Sequence, residues 1–202
     1  MIVSGKGHAG SFLELLGSGS ELGLKLSYEV QDEAGGIAQA LSLAEDFAGG
    51  EKIVVVLGDN VIENDLTEAV KHFEMLPKGA KIFLKEVETP QFYGVAHFDA
   101  DGKLADIIEK PAVPPSAFAV VGCYMYDSQV FEVIRGLSPS GRNELEITDV
   151  NNFYLDQGTL EHDVLSGFWG DCGESFDSLL FASKLVQNSN LANIDDHLEI
   201  TV

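Results

Sequence analysis

Apolar residues recur with two different periods along this chain, and the changes of period mark out its elements. Ile2-Val3-Ser4 is an apolar run with strand character, separated by the glycine-rich Gly5-Lys6-Gly7-His8-Ala9-Gly10 from a short helical stretch, Ser11 to Leu16. Leu24, Leu26, Tyr28 and Val30 alternate with Lys25, Ser27 and Glu29, which predicts a strand with one buried face; helical spacing follows from Gly36 to Phe47. The uninterrupted β-branched run Ile53-Val54-Val55-Val56-Leu57 predicts a central parallel strand covered on both faces, stopping at Gly58-Asp59-Asn60. Asp65-Leu66-Thr67-Glu68 can cap a helix reaching Leu76, and Ile82-Phe83-Leu84 starts another strand.

From Tyr93 the texture changes to strands and tight turns: Val95-Ala96-His97-Phe98, a turn at Asp101-Gly102, Ile107-Ile108, then Phe118 to Tyr126. Helical spacing returns in Val130 to Ile134 and near Ile147 to Leu155. A strand fits Leu160 to Leu165, Ser175 can cap a last helix through Leu185, and the tail after Gln187 is polar. The pattern predicts one α/β domain over 1–202, a doubly wound sheet carrying a β-rich insertion, without internal repeats or a linker.

Composition narrows the partners. The formal net charge of -21, from 12 Lys+Arg against 33 Asp+Glu, argues against an extended nucleic-acid footprint, which needs a basic face. A phosphate ligand must then be met locally, by a few cations or by a metal. No apolar stretch is long enough to span a membrane and no signal-peptide pattern opens the chain, while Cys123 and Cys172 form no spaced metal motif. These features lead us to expect a cytoplasmic protein with neither membrane nor nucleic acid as partner.

In an open α/β sheet, ligands collect beyond the carboxyl ends of the strands, which singles out Asp59. Asp171, in Phe168-Trp169-Gly170-Asp171-Cys172-Gly173, is a candidate second carboxylate, and two carboxylates with phosphate oxygens make a reasonable Mg2+ site. As isolated features both are also ordinary turn residues, and Trp169 reads equally as core. Lys110 and Glu109, in Glu109-Lys110-Pro111, sit where proline ends a strand; the lysine can meet a phosphate and the glutamate a sugar hydroxyl. Arg142, in a loop ahead of a helix, can clamp a phosphate or simply be solvated. The histidines show no ligand-like clustering.

Seven motifs occur in order: Val30-Gln31 with Gly35-Gly36-Ile37-Ala38-Gln39-Ala40; Val56-Leu57-Gly58-Asp59-Asn60; Tyr93-Gly94-Val95; Glu109-Lys110-Pro111; Val121-Gly122-Cys123-Tyr124; Glu144-Leu145-Glu146-Ile147-Thr148-Asp149; and Trp169-Gly170-Asp171-Cys172-Gly173. This series resembles that of the sugar-phosphate nucleotidylyltransferases, most of all the glucose-1-phosphate thymidylyltransferases. The resemblance implies a Rossmann-like mixed β-sheet flanked by helices, of the nucleotide-diphospho-sugar transferase type, acting on a nucleoside triphosphate and a sugar 1-phosphate. It implies further that Gln31 and Gly36 meet the base, that Asp59 and Asp171 hold Mg2+, and that Leu57, Asn60, Gly94, Glu109, Val120 and Tyr124 line the sugar pocket. Lys110 and Arg142 then bind the sugar phosphate, and a homo-oligomer is expected.

The family's first strand, its Gly-x-Gly-Thr-Arg-Leu loop and the following Lys-Pro segment have no counterpart here. The resemblance therefore implies an N-terminally truncated domain with impaired transfer. Gly5 to Gly10 follows the strand that aligns with the family's second and is a weak substitute for that loop. Gly170, Cys172 and Val121 depart from the Leu, Thr and Thr common in relatives. The alternatives are a non-catalytic sugar-nucleotide-binding or assembly module, or a uridylyltransferase of the same fold.

Overall fold

The structure, a computed structural model, describes residues 1–173 and 175–188. In chain order these form β1 (Ile2–Gly5), α1 (Ala9–Leu16), β2 (Tyr28–Gln31), α2 (Ile37–Ser42), α3 (Glu45–Ala48), β3 (Ile53–Val56), β4 (Asn60–Ile62), α4 (Thr67–Met75) and β5 (Ala80–Glu86). There follow β6 (Gly94–Phe98), β7 (Leu104–Glu109), β8 (Phe118–Tyr126), α5 (Val130–Gly136), α6 (Ile147–Asp156), β9 (Leu160–Val164), β10 (Trp169–Asp171) and α7 (Phe176–Asn188). The polar tail anticipated beyond α7 lies outside the described residues.

The main sheet is mixed and organised on β8, which is apolar on both faces and therefore needs cover on both. One edge of β8 pairs antiparallel with β5 along its length, and β9 adds to the far side of β5 in parallel. The other edge is divided: β6 pairs with it at Ala119, and β3 pairs with it from Cys123 to Tyr126. β7 closes the β6 side as an antiparallel hairpin. Two small pairs stand apart from this sheet, β1 with β2 in parallel and β4 with β10 antiparallel.

Alternation along β8 sorts the core into two layers. Val120, Tyr124 and Tyr126 join Ile82 and Leu84 of β5 beneath α2, α5 and α6, with Leu41, Phe131, Ile134, Val150 and Tyr154 filling that side. Val121, Cys123 and Met125 join Phe83 on the opposite face, against Phe73 of α4, Leu165 and Trp169. Ser175 Oγ caps α7 by accepting from Ser178 N (3.0 Å), whereas the N-cap of α4 is Leu66 and Asp65, one residue earlier, accepts from Thr67 N (2.8 Å).

Three expectations are corrected. Ile53-Leu57 is not a central parallel strand covered on both faces. Among the described residues β3 pairs only with β8, antiparallel, and Val54 and Val56 are 48% and 57% exposed. A run of branched side chains records that a segment packs well as a strand, not which of its edges is paired. The predicted strand from Leu24 begins only at Tyr28, because Gly19 and Gly23 take left-handed φ (80° and 67°) and curl the chain. Leu24 N and Leu26 N then pair with the Gly19 and Ser18 carbonyls instead of a neighbouring strand. The helix from Gly36 to Phe47 is divided in two at Leu43-Ala44, where the Ala44 amide bonds three residues back, to Leu41, instead of four. No helix among the described residues is long and apolar enough to cross a membrane.

Asp127 fastens the end of β8 to its surroundings. Its carboxylate accepts from Gly79 N (2.6 Å), Tyr154 Oη (2.7 Å) and Gln129 N (3.0 Å), and the residue is buried. Asp127→Ala strands these donors and is expected to lower unfolding stability by about 2–4 kcal/mol in urea titrations, with Asp127→Asn losing less because one acceptor remains.

Candidate active site

At Gly122 the divided edge of β8 passes from β6 to β3, and the strands part there. The Gly122 backbone remains paired: its oxygen accepts from Leu57 N (2.8 Å) and its N–H donates to Asn60 Oδ1 (3.0 Å). A Cβ on residue 122 would come within 2.5 Å of that Asn60 amide, so close approach requires glycine here. A cavity of about 170 Å3 opens at this fork.

The cavity gathers most of the residues singled out from the sequence. Leu57 and Asn60 enter from the β3–β4 connection, Val120 and Tyr124 from β8, and Gly94 from β6. Glu109 and Lys110 enter from the end of β7, Arg142 from the loop before α6, and Asp171 from β10. Asp59, Gln31 and Gly36 are not among its lining residues; the latter two meet each other at the end of β2, where Gln31 Nε2 donates to Gly36 O (3.1 Å) and to Gln39 Oε1 (2.7 Å). Gly36 has φ 95°, and a Cβ there would run into the Leu145 backbone. Ile37, the next residue, does reach the cavity wall.

Asp59 and Asp171 are brought together by the small β4–β10 pair. Asp171 stands opposite Asn60 in register, and Cys172 N donates to Asp59 O (2.7 Å). A Cβ placed on Gly173 would lie 2.5 Å from Asp59 Oδ2 and 3.3 Å from Asp171 Oδ1, so both carboxylates converge over this glycine. Burial raises the Asp171 pKa above the ordinary aspartate value. The Gly173 N–H lowers it, the Asp59 charge raises it further, and Lys110 lowers it. Hard oxygens held at one point suit a divalent cation such as Mg2+. No cluster of three or more His, Cys, Asp or Glu fit for a metal occurs among the described residues, so a cation here would need oxygens beyond these two carboxylates.

Opposite this pair lies a charged network. Arg142 donates through Nε to Glu146 Oε1 (3.1 Å), and through Nη2 to Glu146 Oε2 (2.7 Å) and Glu109 Oε1 (3.1 Å), with Glu144 at 3.2 Å. The other Glu109 oxygen accepts from the Thr148 hydroxyl. A Cβ on Gly94 would approach both of these side chains, at 3.1 Å and 3.4 Å. Lys110 follows with φ 41°, a left-handed backbone seldom taken by a residue with a side chain, and its N–H donates to Tyr93 O (3.0 Å). No residue of Gly5–Gly10 lines this cavity, and Lys6 pairs with Asp32 at 3.5 Å.

Residues 1–189 match the model of the nucleotidyl transferase family. The chain belongs to that family. It is 42% identical over 194 residues to the glucose-1-phosphate thymidylyltransferase of Mycolicibacterium smegmatis, covering 95% of this chain and 67% of that protein. The crystal structure of a Bacillus anthracis protein assigned as a glucose-1-phosphate thymidylyltransferase, in complex with a sucrose, superposes with a TM-score of 0.87 at 47% identity, covering 94% of this chain and 76% of that one. A UDP-glucose pyrophosphorylase complexed with UDP-glucose shares the fold alone, with a TM-score of 0.76 at 23% identity, covering 93% of this chain and 80% of that one. The chain spans between about half and two-thirds of the length of the curated relatives it matches.

Glu146, Thr148 and Asn151 are among the further lining residues of this nucleotidyl transferase that escaped the sequence reading as individuals. Glu146 and Thr148 lay inside a motif noted only as a block, although the spacing of Arg142 and Glu146 permits an ion pair. Asn151 lies one turn beyond Thr148 on α6, so helical spacing places both on one side. Its Oδ1 accepts from Tyr126 Oη (2.6 Å), while its Nδ2 is buried without a hydrogen-bond partner among the described residues.

Burial pushes the Glu146 carboxyl upward, but hydrogen bonds from Arg142 and Ser140 outweigh it, leaving the pKa below the ordinary glutamate value of 4.5. The stability this group contributes is therefore complete above the unfolded glutamate range and is lost as the pH falls through the lower folded value. Glu146→Gln is expected to cost about 1–2 kcal/mol at pH 7. The difference from wild type should shrink below about pH 4 as glutamate protonates in both states, as chemical unfolding at a series of pH values will show.

Proposed function

We propose that this nucleotidyl transferase joins dTTP and glucose 1-phosphate to give dTDP-glucose and pyrophosphate, with turnover held low in this chain. The observation that carries this reading is the convergence of Asp59 and Asp171 beside a cavity that also presents Lys110, Arg142 and Glu109. Relatives named as glucose-1-phosphate thymidylyltransferases supply the choice of nucleotide and sugar.

In the reaction an oxygen of the sugar phosphate forms a bond to the α-phosphorus of the triphosphate. The bond from that phosphorus to the oxygen bridging toward the β-phosphate breaks, and pyrophosphate leaves with its electron pair. No protein nucleophile or proton transfer is required, so the residues act by positioning and charge. Lys110 and Arg142 hold the sugar phosphate. Glu109, kept in place by Thr148, accepts from sugar hydroxyls, while Leu57, Asn60, Gly94, Val120 and Tyr124 shape the sugar pocket. Gln31 and Gly36 meet the base. Asp59 and Asp171 would hold Mg2+, which would neutralise phosphate charge there.

Turnover is low because Lys110 and Arg142 are the only cations among the cavity's lining residues, and Arg142 is shared by three carboxylates. Both cysteines are free, which suits a reducing cytoplasm. Calorimetric titration with dTDP-glucose and Mg2+ is expected to give binding that Asp59→Ala with Asp171→Ala abolishes, alongside slow formation of dTDP-glucose from dTTP. Binding without turnover under prolonged assay favours a non-catalytic sugar-nucleotide module, and tighter binding of UDP-glucose favours uridylyl transfer. Absence of binding to either removes the reading.

A second reading, an assembly module, is favoured by a groove of about 410 Å3 lined by Met1, Val3, Val54 and Val56, among others. Among the described residues β1 and β3 are each paired along a single edge. Unpaired edges with exposed valines associate with other strands, and lysine on an edge blocks this. On that reading the chain is expected to oligomerise with rising concentration in sedimentation experiments, and Val54→Lys with Val56→Lys to return it to monomer. A wild-type monomer throughout would exclude it.

A further inference from the structure

Asn60 was assigned from the sequence to the sugar pocket, yet its amide is committed to three other groups. Oδ1 accepts from the Gly122 backbone N–H (3.0 Å) and from the Trp169 indole N–H (2.7 Å). Nδ2 donates to Asp59 Oδ1 (2.8 Å). A backbone N–H and an indole N–H can only donate, so the amide atom facing them must be the carbonyl oxygen. The amino group is then turned toward Asp59, a carboxylate that can only accept while ionised. Both ends of the amide are fixed by complementary partners, and the opposite orientation leaves every one of these contacts donor to donor or acceptor to acceptor.

These contacts reach different parts of the fold. Gly122 lies on buried β8, Trp169 begins β10, and Asp59 sits in the turn before β4. Trp169 is itself held, buried in the core against Tyr93 at a ring separation of 5.1 Å. One oxygen of Asp59 is thereby tied to a rigid framework, while Oδ2 is the oxygen that approaches Gly173 together with Asp171 Oδ1. A hydrogen bond to the non-ligating oxygen of a metal-binding carboxylate fixes its orientation and tunes its affinity.

We infer that Asn60 is a positioning residue, orienting the Asp59 carboxylate for a divalent cation shared with Asp171 and coupling that carboxylate to Trp169. The inference rests on the cation-binding role given above to Asp59 and Asp171, and goes beyond it in assigning Asn60 and the glycine at 122 to the same task. Gly122 enters because any side chain there displaces the amide.

The chain contains one tryptophan, so its single indole N–H resonance reports the far end of this connection. Mn2+ binding is to be counted from the EPR signal of the free ion in wild type, Asp59→Ala, Asn60→Ala and Gly122→Ala. In parallel, Mg2+ is titrated into 15N-labelled protein while the indole resonance is followed. Wild type should bind Mn2+ and its indole resonance should move with Mg2+. Both Asn60→Ala and Gly122→Ala should bind at least about tenfold more weakly, the usual effect of removing such a supporting contact. In Asn60→Ala the indole resonance should stay still even at Mg2+ concentrations that saturate the site. A merely structural asparagine would leave the wild-type indole unmoved by the cation. That result, or wild-type affinity in a folded variant, overturns the inference while leaving the cation site standing. If circular dichroism shows the variants unfolded, the wild-type indole titration decides alone. Failure of wild type to bind Mn2+, or binding that Asp59→Ala leaves unchanged, overturns the cation site itself and the inference with it.

Discussion

The divided edge of β8 is the constraint from which the site follows. Its neighbour β5 runs the length of the strand, so that edge is closed, while β6 and β3 share the other and separate at Gly122. A strand buried on both faces cannot leave backbone groups unpaired at such a break without a cost of about 1–3 kcal/mol each. Here the Leu57 amide and the Asn60 carboxamide take the place of the absent ladder partner. Both flank the turn that carries Asp59, so satisfying the break in the sheet also holds a carboxylate beside the cavity it opens. The glycine at 122 serves packing and site at once, since the same small volume that lets β8 accept the Asn60 amide also locates Asp59.

Much of this was legible in the residues. The β-branched run before Gly58, the alternation after Tyr93 and the proline after Lys110 each have a local cause, and each gave the right element. Asp59 was singled out by its place at the carboxyl end of a strand, Asp171 by its flanking glycines, and the order of the motifs paired them; the two carboxylates converge over Gly173. What was not legible depends on partners distant in sequence. Ile53 to Leu57 reads the same whether its second edge is paired or free, so its edge position was missed. The task of the Asn60 amide was missed for the same reason, because its partners lie 62 and 109 residues away. Leu24 to Ser27 shows the opposite failure: a clear period of two was overridden by the left-handed glycines on either side of Leu22.

The charge of the molecule gives the cavity its character. With a net charge of -21, the protein repels phosphates at long range, and attraction must come from groups already at short range. Lys110 and Arg142 are such groups, but Arg142 is not a free cation awaiting a ligand. The guanidinium is neutralised locally by Glu109, Glu144 and Glu146, and its hydrogen bond to Glu146 heads the causes that raise its pKa. A phosphate approaching Arg142 through Nη2 must therefore compete with the carboxylates already held there.

Geometry indicates which carboxylate yields. Glu146 holds two guanidinium nitrogens and accepts from Ser140 Oγ as well, with its side chain almost wholly covered, whereas Glu144 makes a single contact at 3.2 Å from a more open position. Exposed pairs of that kind are worth about 0–1 kcal/mol, less than a bidentate and partly buried one. Glu109 lies between these extremes, tied to Thr148 by its other oxygen. Under the proposed function, Glu144 is the group a sugar phosphate displaces, Glu146 is the clamp that keeps Arg142 aimed while it does so, and Glu109 turns from the arginine toward the sugar. The resting network is in this sense a placeholder for the ligand, holding in order, at low cost, the groups that a protein so negatively charged would otherwise have to organise only after the phosphate had arrived.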